Sequence, residues 1–430
     1  SEDVKWNWER IRDPVHLSGS RKFLTLFLES IETPDKHTIV ANLSNPYGGF
    51  LMANTWCFCS ILPKDSIPYG AIWGFTPTFT PSTAAPPGTG PFVMTEYQQI
   101  YQAVYERFHD YRIDGLPYLD RLIYKVMSED TPRTMALRAK NLDYIWSAES
   151  NWLSKQMKNK ELNTVHRLPS EKLNLLPQIS NSTSTFYLNS HPDYDTPFTD
   201  ERIRQALDYC IDRETLAKAL YGDLGIPMYQ GYNPQISSWG FTDLKVRKRD
   251  ITKAKALLAE AGYPNGIDIE FKITPTSGKN DLRAQIVQQM AKPAGFRLHI
   301  NSQVGTQYWT HLRQFTYQIM IWSVYHEDPM NFYYNYLHTD PISPYNGYSP
   351  VLGVKDSEMD ILLDEVATTA DLQQRKATFK KVVQRAIDKA YLLPTTTTIN
   401  ASVWSDRLQN FNPLDYFQPE QAFTQAWVNE

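Results

Sequence analysis

The densest group of chemically active side chains lies at residues 321–350, where an apolar run passes into a loop rich in Tyr, His, Asp, Glu and Asn. Glu327 and Asp328 are adjacent acids, and glycoside hydrolysis uses two carboxyl groups about 5 to 9 Å apart. Adjacency in sequence does not establish that separation. His326 and His338 have no third ligand at zinc-site spacing. The loop therefore offers groups for binding rather than a recognisable catalytic set.

Signatures of common enzymes are absent from the chain. It contains no Gly-x-Ser-x-Gly, no His-Glu-x-x-His, no Walker loop and no Gly-x-Gly-x-x-Gly after a strand. Gly88 and Gly90 are followed by neither Lys-Ser nor Lys-Thr, so we interpret this stretch as a crossover. We expect no enzyme activity, no catalytic residue, no cofactor and no metal site.

Composition narrows the class of protein further. With 430 residues and 42% hydrophobic residues, the chain can build two or three compact lobes. A formal charge of -4 without a dense basic run argues against nucleic acid as a partner. Cys57, Cys59 and Cys210 form no metal-ligand pattern and are expected to be small buried residues. The 11 Trp and 26 Tyr suit a pocket that holds a partly polar organic solute.

Helix and strand patterns alternate around this loop, which is typical of an α/β fold. An apolar strand that passes at once into a polar loop is where such a fold presents its binding groups. The predicted helices are 1–14, 131–141, one from residue 200 with a second from Arg213 to Gly222, 250–262, 280–294 and 356–390, the last broken near Thr369. The predicted strands are 119–127, 142–146, 185–190, 267–273, 296–301, 317–325 and 391–404, with a hairpin at 29–43 and a linker at 75–91.

The candidate ligand contacts come from this loop and from neighbouring strand and helix ends. An acid there pairs well with an ammonium only where water is excluded. Arg313 could hold a carboxylate or a phosphate, although an exposed arginine is the alternative. The tryptophans could stack on a sugar ring or a peptide side chain, with core packing as the alternative. The candidates are Trp322, Tyr325, His326, Glu327, Asp328, Asn331, Arg313 and Trp146, whereas Tyr333, Tyr334 and Tyr336 are expected to pack in the core.

Several segments, taken together and in order, resemble the peptide-, opine- and nickel-type solute-binding proteins of ABC importers, family 5. The most specific combination is FTDERIRQALDYCIDRE with KAKALLAEAGYPNG. The other segments are SEDVKWNWERIRDP, ESIETPDKHTIVANLSNPYGGF, PPGTGPF and GLPYLDRLIYKVMSEDTPRTMALRAKNLDYIW. They extend across nearly the whole chain.

The resemblance implies a two-lobed periplasmic binding protein of the Venus-flytrap, type II-like class, with an extra α/β domain on lobe I. Residues 1–88 would form part of the extra domain, 89–188 with 397–430 lobe I, and 189–396 lobe II. Family members carry a further segment before the helix that begins here. We therefore expect the N-terminal part of the fold to be missing from this sequence.

The resemblance also implies the activity. In peptide binders the matching segment carries a Gly-Trp pair and an Asp that pairs with the peptide amino terminus; here Ser323-Val324 stand in place of the pair, and Glu327 or Asp328 falls near the acid. The chain would capture a short peptide or an opine-like conjugate and deliver it to a membrane permease. It would act as a monomer, periplasmic or lipid-anchored at the cell surface.

Three alternatives remain open at this point. The same fold could bind an oligosaccharide or a chelated nickel ion. A glycosidase-like enzyme could use Glu327 or Asp328. A signalling receptor that reports occupancy to a membrane partner would share the same hinge.

Overall fold

The structure is a computed structural model that describes residues 1–13, 27–54, 61–65, 88–98, 101–274, 278–303, 305–325, 328, 330–339, 352–413 and 419–429. Its helices are α1 Glu2–Arg12, α2 Phe50–Ala53, α3 Asp130–Arg138, α4 Ser150–Gln156, α5 Glu201–Cys210, α6 Arg213–Tyr221, α7 Ile251–Glu260, α8 Gly278–Ala291, α9 Gly305–Arg313, α10 Asn335–Leu337, α11 Ser357–Thr368 and α12 Leu372–Asp388. Tighter or wider helical turns lie at Pro197–Thr199, Gly222–Leu224, Lys292–Ala294, Met330–Tyr334 and Pro419–Thr424.

The strands are β1 Leu28–Glu32, β2 Val40–Leu43, β3 Phe92–Gln98, β4 Gln102–Arg107, β5 Arg121–Lys125, β6 Tyr144–Ile145, β7 His166–Leu168, β8 Leu173–Ile179, β9 Ser182–Leu188, β10 Gly225–Pro227, β11 Ile267–Ile273, β12 Phe296–Ser302, β13 Ile319–Tyr325, β14 Leu392–Ser405, β15 Leu408–Gln409 and β16 Trp427–Val428. The largest sheet has the order β12-β11-β13-β9-β14-β8-β7, and β10 and β6 also pair with β14. β11 runs parallel to β12 and β13. The other pairs in this sheet are antiparallel, and the predicted α/β fold is confirmed.

One long strand, β14, joins the two halves of this sheet. Its first part pairs with β9, where Leu392 lies opposite Tyr187. Its last part pairs with β8, where Ser405 lies opposite Leu173. Only two residues separate β8 from β9, so the chain also passes from one half of the sheet to the other at this point. The two crossings are therefore the β8–β9 connection and the middle of β14. The crossings divide the protein into two lobes.

Each lobe has cores of its own. In lobe II, α5 to α8 cover one face of the sheet around Phe271, and α11 and α12 cover the opposite face around Phe379. In lobe I, α3 and α4 pack on β8 and β14 around Leu137 and Leu175. Each of these four side chains is nearly or fully buried, and full burial of such a side chain contributes about 1.5–3 kcal/mol. Each lobe therefore has a substantial apolar core.

The N-terminal part forms a small unit in which α1 packs on the β1-β2 hairpin through Trp8 and Ile31. This unit meets lobe II, because Tyr47 lies in the core cluster of α11 and α12 and the Gly48 amide donates to Ala367 O at 3.1 Å. Residues 66–87, which would connect the unit to lobe I, lie outside the described residues. The three domain boundaries given above remain predictions.

Most of the predicted elements are confirmed, with corrections at the helix starts. The Ser1 side chain forms no cap and its Oγ donates to Asp35 O instead. The helix expected to open at Thr131 begins at Asp130, with Glu129 at the N-cap position and no capping hydrogen bond from its side chain. Cys210 is buried as expected, whereas Cys57 and Cys59 lie outside the described residues. In the described part of the chain, no helix is long and apolar enough to cross a membrane.

Candidate ligand-binding crevice

A cavity of about 250 Å³ opens where the crossings meet lobe II. Hydroxyl groups dominate its wall, and the remaining lining groups are an amide, a guanidinium, an isoleucine and an indole. Side chains of this kind fix the orientation of a partly polar solute by hydrogen bonds and apolar contact. The lining residues are Ser180, Ser182, Ser184, Tyr221, Thr274, Asn280, Arg283, Ile321, Trp322, Ser323, Thr396, Thr397 and Thr398.

A second, larger cavity of about 460 Å³ lies on the outer part of lobe I, between β14 and the C-terminal segment around Phe411. Its described lining includes Asn174 and Trp404, at the lobe I ends of β8 and β14, and no residue of lobe II. We regard the smaller cavity as the candidate site because both crossings and lobe II contribute to it, so that hinge motion would change its shape.

The threonine run of β14 shapes the hinge side of the cavity. A register shift falls between Pro394 and Thr396, where proline cannot donate a ladder hydrogen bond. Side chains make up for the missing bonds, since Thr395 Oγ1 donates to Ser184 O and Thr397 Oγ1 donates to Ser182 O, each at 2.8 Å. The β-branched residues thus keep the strand extended through the junction.

Arg283 lies on the first turns of α8, just beyond the carboxyl end of β11, and is 2% exposed. Nη1 donates to Asn280 Oδ1 at 2.9 Å, and Nη2 donates to the Tyr221 hydroxyl at 2.9 Å and to Thr396 Oγ1 at 3.4 Å. Among the described residues, Nε of Arg283 and Oγ1 of Thr274 have no hydrogen-bond partner. The cavity therefore contains a buried cation whose described partners are all neutral.

Lys279 lies one turn earlier on α8 and links the lobes. Its Nζ is 3.3 Å from Asp130 Oδ2 and 3.3 Å from Ser150 Oγ, which lie at the starts of α3 and α4. The ammonium also lies 4.6 Å from the centre of the Tyr221 ring. Because Tyr221 lines the cavity, this ion pair lies at its border and connects lobe II to lobe I.

Trp322, which the sequence predicts as a ligand contact, lines the cavity in the structure. It lies in β13 opposite Thr185 and also packs against the lobe II core. Its indole therefore has both a buried side and a side available to a solute. Trp146 is 48% exposed just after β6 and does not belong to the lining.

Asp328 is engaged within the protein. Its two carboxylate oxygens each accept a hydrogen bond of 2.7 Å from Arg375, and both side chains are about 95% buried. Arg375 Nε donates to Val366 O at 2.9 Å, and a Cβ added at Gly49 would lie 3.2 Å from Asp328 Oδ1. The N-terminal unit thus covers a bidentate ion pair. Of the two adjacent acids, Glu327 stays the candidate for ligand contact.

The remaining sequence candidates cannot be assigned to the cavity. His326 and Glu327 lie outside the described residues. Tyr325 ends β13, Asn331 lies in the Met330–Tyr334 turn and Arg313 ends α9, with backbone positions alone described. Tyr333 and Tyr334 are buried and Tyr336 packs against the same core, as predicted.

Arg283 and the hydroxyl groups of the crossings are not predicted from the sequence. An arginine in the first turns of a helix that follows a β-strand was a usable signal, because strand ends and following helix starts meet at binding crevices. The run of four threonines that starts at Thr395 is predicted correctly as an extended segment. The sequence does not predict that threonines of this run line a cavity. Within the described ranges, no three His, Cys, Asp or Glu side chains come together as a possible metal site.

Comparison with known proteins identifies the family of this chain. The model of the bacterial extracellular solute-binding proteins, family 5 Middle, matches residues 1–344. The chain belongs to this family. The family 5 protein described here is 26% identical over 436 residues to Heme-binding protein A of Haemophilus influenzae, a match that covers 97% of this chain and 75% of that protein. It is 27% identical over 304 residues to the Glutathione-binding protein GsiB of Escherichia coli K12, covering 70% of this chain and 53% of that protein.

Solved structures show the same fold. The periplasmic binding protein AgaA from Agrobacterium tumefaciens R10, solved with agropinic acid, has a TM-score of 0.82 and 22% identity, covering 100% of this chain and 83% of that one. DppA from Helicobacter pylori, solved with the peptide STSA, has a TM-score of 0.80 and 21% identity, covering 100% and 82%. The two-lobed α/β binding-protein fold expected from the sequence is confirmed. The chain spans about half the length of GsiB and three quarters of the heme-binding relative.

Proposed function

We propose that this family 5 protein is the extracytoplasmic receptor of an ABC importer, which captures a short peptide or an opine-like conjugate between its lobes and delivers it to a membrane permease. The observation that carries the proposal is the cavity at the lobe junction, lined by hydroxyl groups and Trp322. A solute held there contacts the crossings and lobe II together. Its binding energy then stabilises the closed form over the open form.

The names of the relatives are compatible with this ligand class without deciding it. They cover heme, glutathione and dipeptides among the curated proteins, and agropinic acid and a peptide among the solved structures. Most of these compounds combine polar, charged ends with an apolar or flexible middle. The cavity offers both kinds of contact, through its hydroxyl groups and through Ile321 and Trp322. A periplasmic or lipid-anchored location and a monomeric state complete the proposal.

An oligosaccharide is the second ligand class that the cavity favours, because hydroxyl groups and an indole also suit a sugar. A glycosidase using Asp328 is disfavoured, since both oxygens of that carboxylate are engaged by Arg375. Chelated nickel would require its organic chelator to make the contacts with the protein.

Isothermal titration calorimetry with di- and tripeptides, opines, oligosaccharides and nickel-histidine complexes tests the proposal. We expect one class to bind, and Trp322→Ala to weaken that binding roughly tenfold or more through lost apolar contact. Trp146→Ala is the matched control, because this tryptophan lies outside the lining. If both variants bind every ligand as the wild type does, the crevice is not the binding site.

A further inference from the structure

The geometry points to an anionic ligand: we propose that Arg283 binds a carboxylate of the captured solute, and that this contact selects acids over neutral analogues. The assignment deepens the proposed function and rests on the crevice being the binding site. It names the chemical group that the solute must carry.

The first support is the charge balance of buried arginines in lobe II. Arg213 pairs with Asp208 at 2.6 Å and Arg375 pairs with Asp328 at 2.7 Å. Arg204 also has neutral hydrogen-bond partners, but three carbonyl oxygens accept from it and one of them engages its Nε. Arg283 is equally buried, its described partners are an amide, a phenol and a hydroxyl, and its Nε has no hydrogen-bond partner among the described residues. A buried charge without a counter-charge is unfavourable, and a ligand anion would remove that penalty.

The second support is the pair of unpartnered polar atoms in the cavity wall. Arg283 Nε and Thr274 Oγ1 lack hydrogen-bond partners in the described part of the chain, and both residues line the cavity. A carboxylate accepts several hydrogen bonds and matches the planar fork of a guanidinium. A carboxylate bound at Arg283 would supply the acceptor that its guanidinium lacks among the described residues.

The third support is the absence of a competing acid in the described lining. Its residues include neither Asp nor Glu. The nearby Lys279 is already paired with Asp130. The wall described here thus has net positive charge, which suits a free peptide carboxylate, an opine or a glutathione-like acid better than a neutral sugar.

The test measures binding of matched acids and their neutral derivatives by calorimetry on the purified chain. The panel consists of di- and tripeptides as free acids and as C-terminal amides, with glutathione and its diethyl ester as a further pair. In the wild type we expect at least one acid to bind roughly 10- to 100-fold more tightly than its neutral partner, as a charge-assisted contact in a buried site would give.

Three variants isolate the role of Arg283. Arg283→Gln should remove the preference for the acid, and Arg283→Lys should keep part of it because the positive charge remains. Arg297→Gln is the control, since this arginine lies at the opposite end of the lobe II sheet and pairs with Asp268 on the surface. Without ligand, Arg283→Gln should melt within a few degrees of the wild type, because an unpaired buried charge adds little stability.

The outcomes separate this assignment from the proposed function. If no acid binds more tightly than its neutral partner, or if Arg283→Gln retains the preference, the assignment is overturned. Acids and amides that bind alike and are both weakened by Trp322→Ala would overturn it while leaving the crevice as the binding site. If Trp322→Ala changes no binding at all, the proposed function itself fails.

Discussion

At the scale of single residues, two buried arginines show how a structural charge differs from one available to a ligand. Arg375 forms a closed bidentate pair with Asp328, covered by the turn at Gly49. Arg283 is buried to the same degree, but its described partners are neutral. The presence of a counter-charge, rather than burial, separates the two roles.

The ion pair of Asp328 and Arg375 gives a first prediction. Arg375→Met removes the bidentate ionic partner of the buried Asp328 carboxylate, so we expect the unfolding free energy to fall by about 3–5 kcal/mol in urea denaturation. The double variant with Asp328→Leu should recover part of that loss, because neither charge remains. If Asp328→Asn instead leaves stability unchanged and abolishes ligand binding, Asp328 is a ligand contact and the structural role is wrong.

The sequence predicts which residues are candidates for ligand contact, but not which side chains they contact in the fold. Its candidates include Asp328 and Trp322, and Trp322 does line the cavity. The pairing of Asp328 with Arg375 spans 47 residues, and local spacing carries no information about it. For the same reason Arg283 could not be distinguished from Arg313 as the arginine that faces the solute.

At the scale of elements, periodic apolar patterns and caps predicted most of the fold. The break between α11 and α12 falls at the predicted place, and Asp356 and Asp371 cap the two helices. The sequence pattern predicts no element at residues 150–180, where α4, β7 and β8 lie. β8 carries Pro177, and β7 has only three residues, so neither has a clear strand pattern. β8 forms by pairing with β14, and β7 forms by pairing with β8.

Asp356 provides a prediction that depends on pH. Burial alone would raise its pKa, but hydrogen bonds from Arg385, the Met359 amide and Tyr391 hold the pKa below its usual range. A lowered folded-state pKa stabilises the protein above the unfolded value of about 3.9, and this stabilisation is lost as pH falls through the folded value.

Asp356→Asn keeps a good helix cap and removes the charge. We expect it to reduce the unfolding free energy by about 1–3 kcal/mol at pH 7, and the difference from wild type to shrink below about pH 4. Thermal melts between pH 3 and pH 8 measure both. A difference that is constant across this range would contradict the charged role of Asp356.

At the scale of the whole molecule, two lobes meet at the crossings and through further contacts between them. Lys279 makes one of these contacts, since it joins α8 to Asp130 and Ser150. Both ionic side chains are roughly a third exposed, so solvent screens the pair. Such a contact contributes about 0.2–1 kcal/mol. A contribution of this size shifts the equilibrium between the open and closed forms without fixing the protein in the closed form.

Lys279→Ala should therefore shift the ligand-free protein toward the open form. We expect a larger radius of gyration by small-angle scattering, with the melting temperature nearly unchanged because no core contact is lost. Lys248→Ala, which removes a surface ion pair with Glu214, is the control. Equal scattering curves for both variants and the wild type would show that Lys279 has no part in closure.

Binding of a solute at the junction of the lobes can be checked by a crystal structure of the protein with the tightest compound of the peptide panel. We predict ligand density in the cavity, against the Trp322 indole and with an acidic group at the Arg283 guanidinium. Density in the outer cavity of lobe I near Phe411, or elsewhere away from the crossings, would contradict the account.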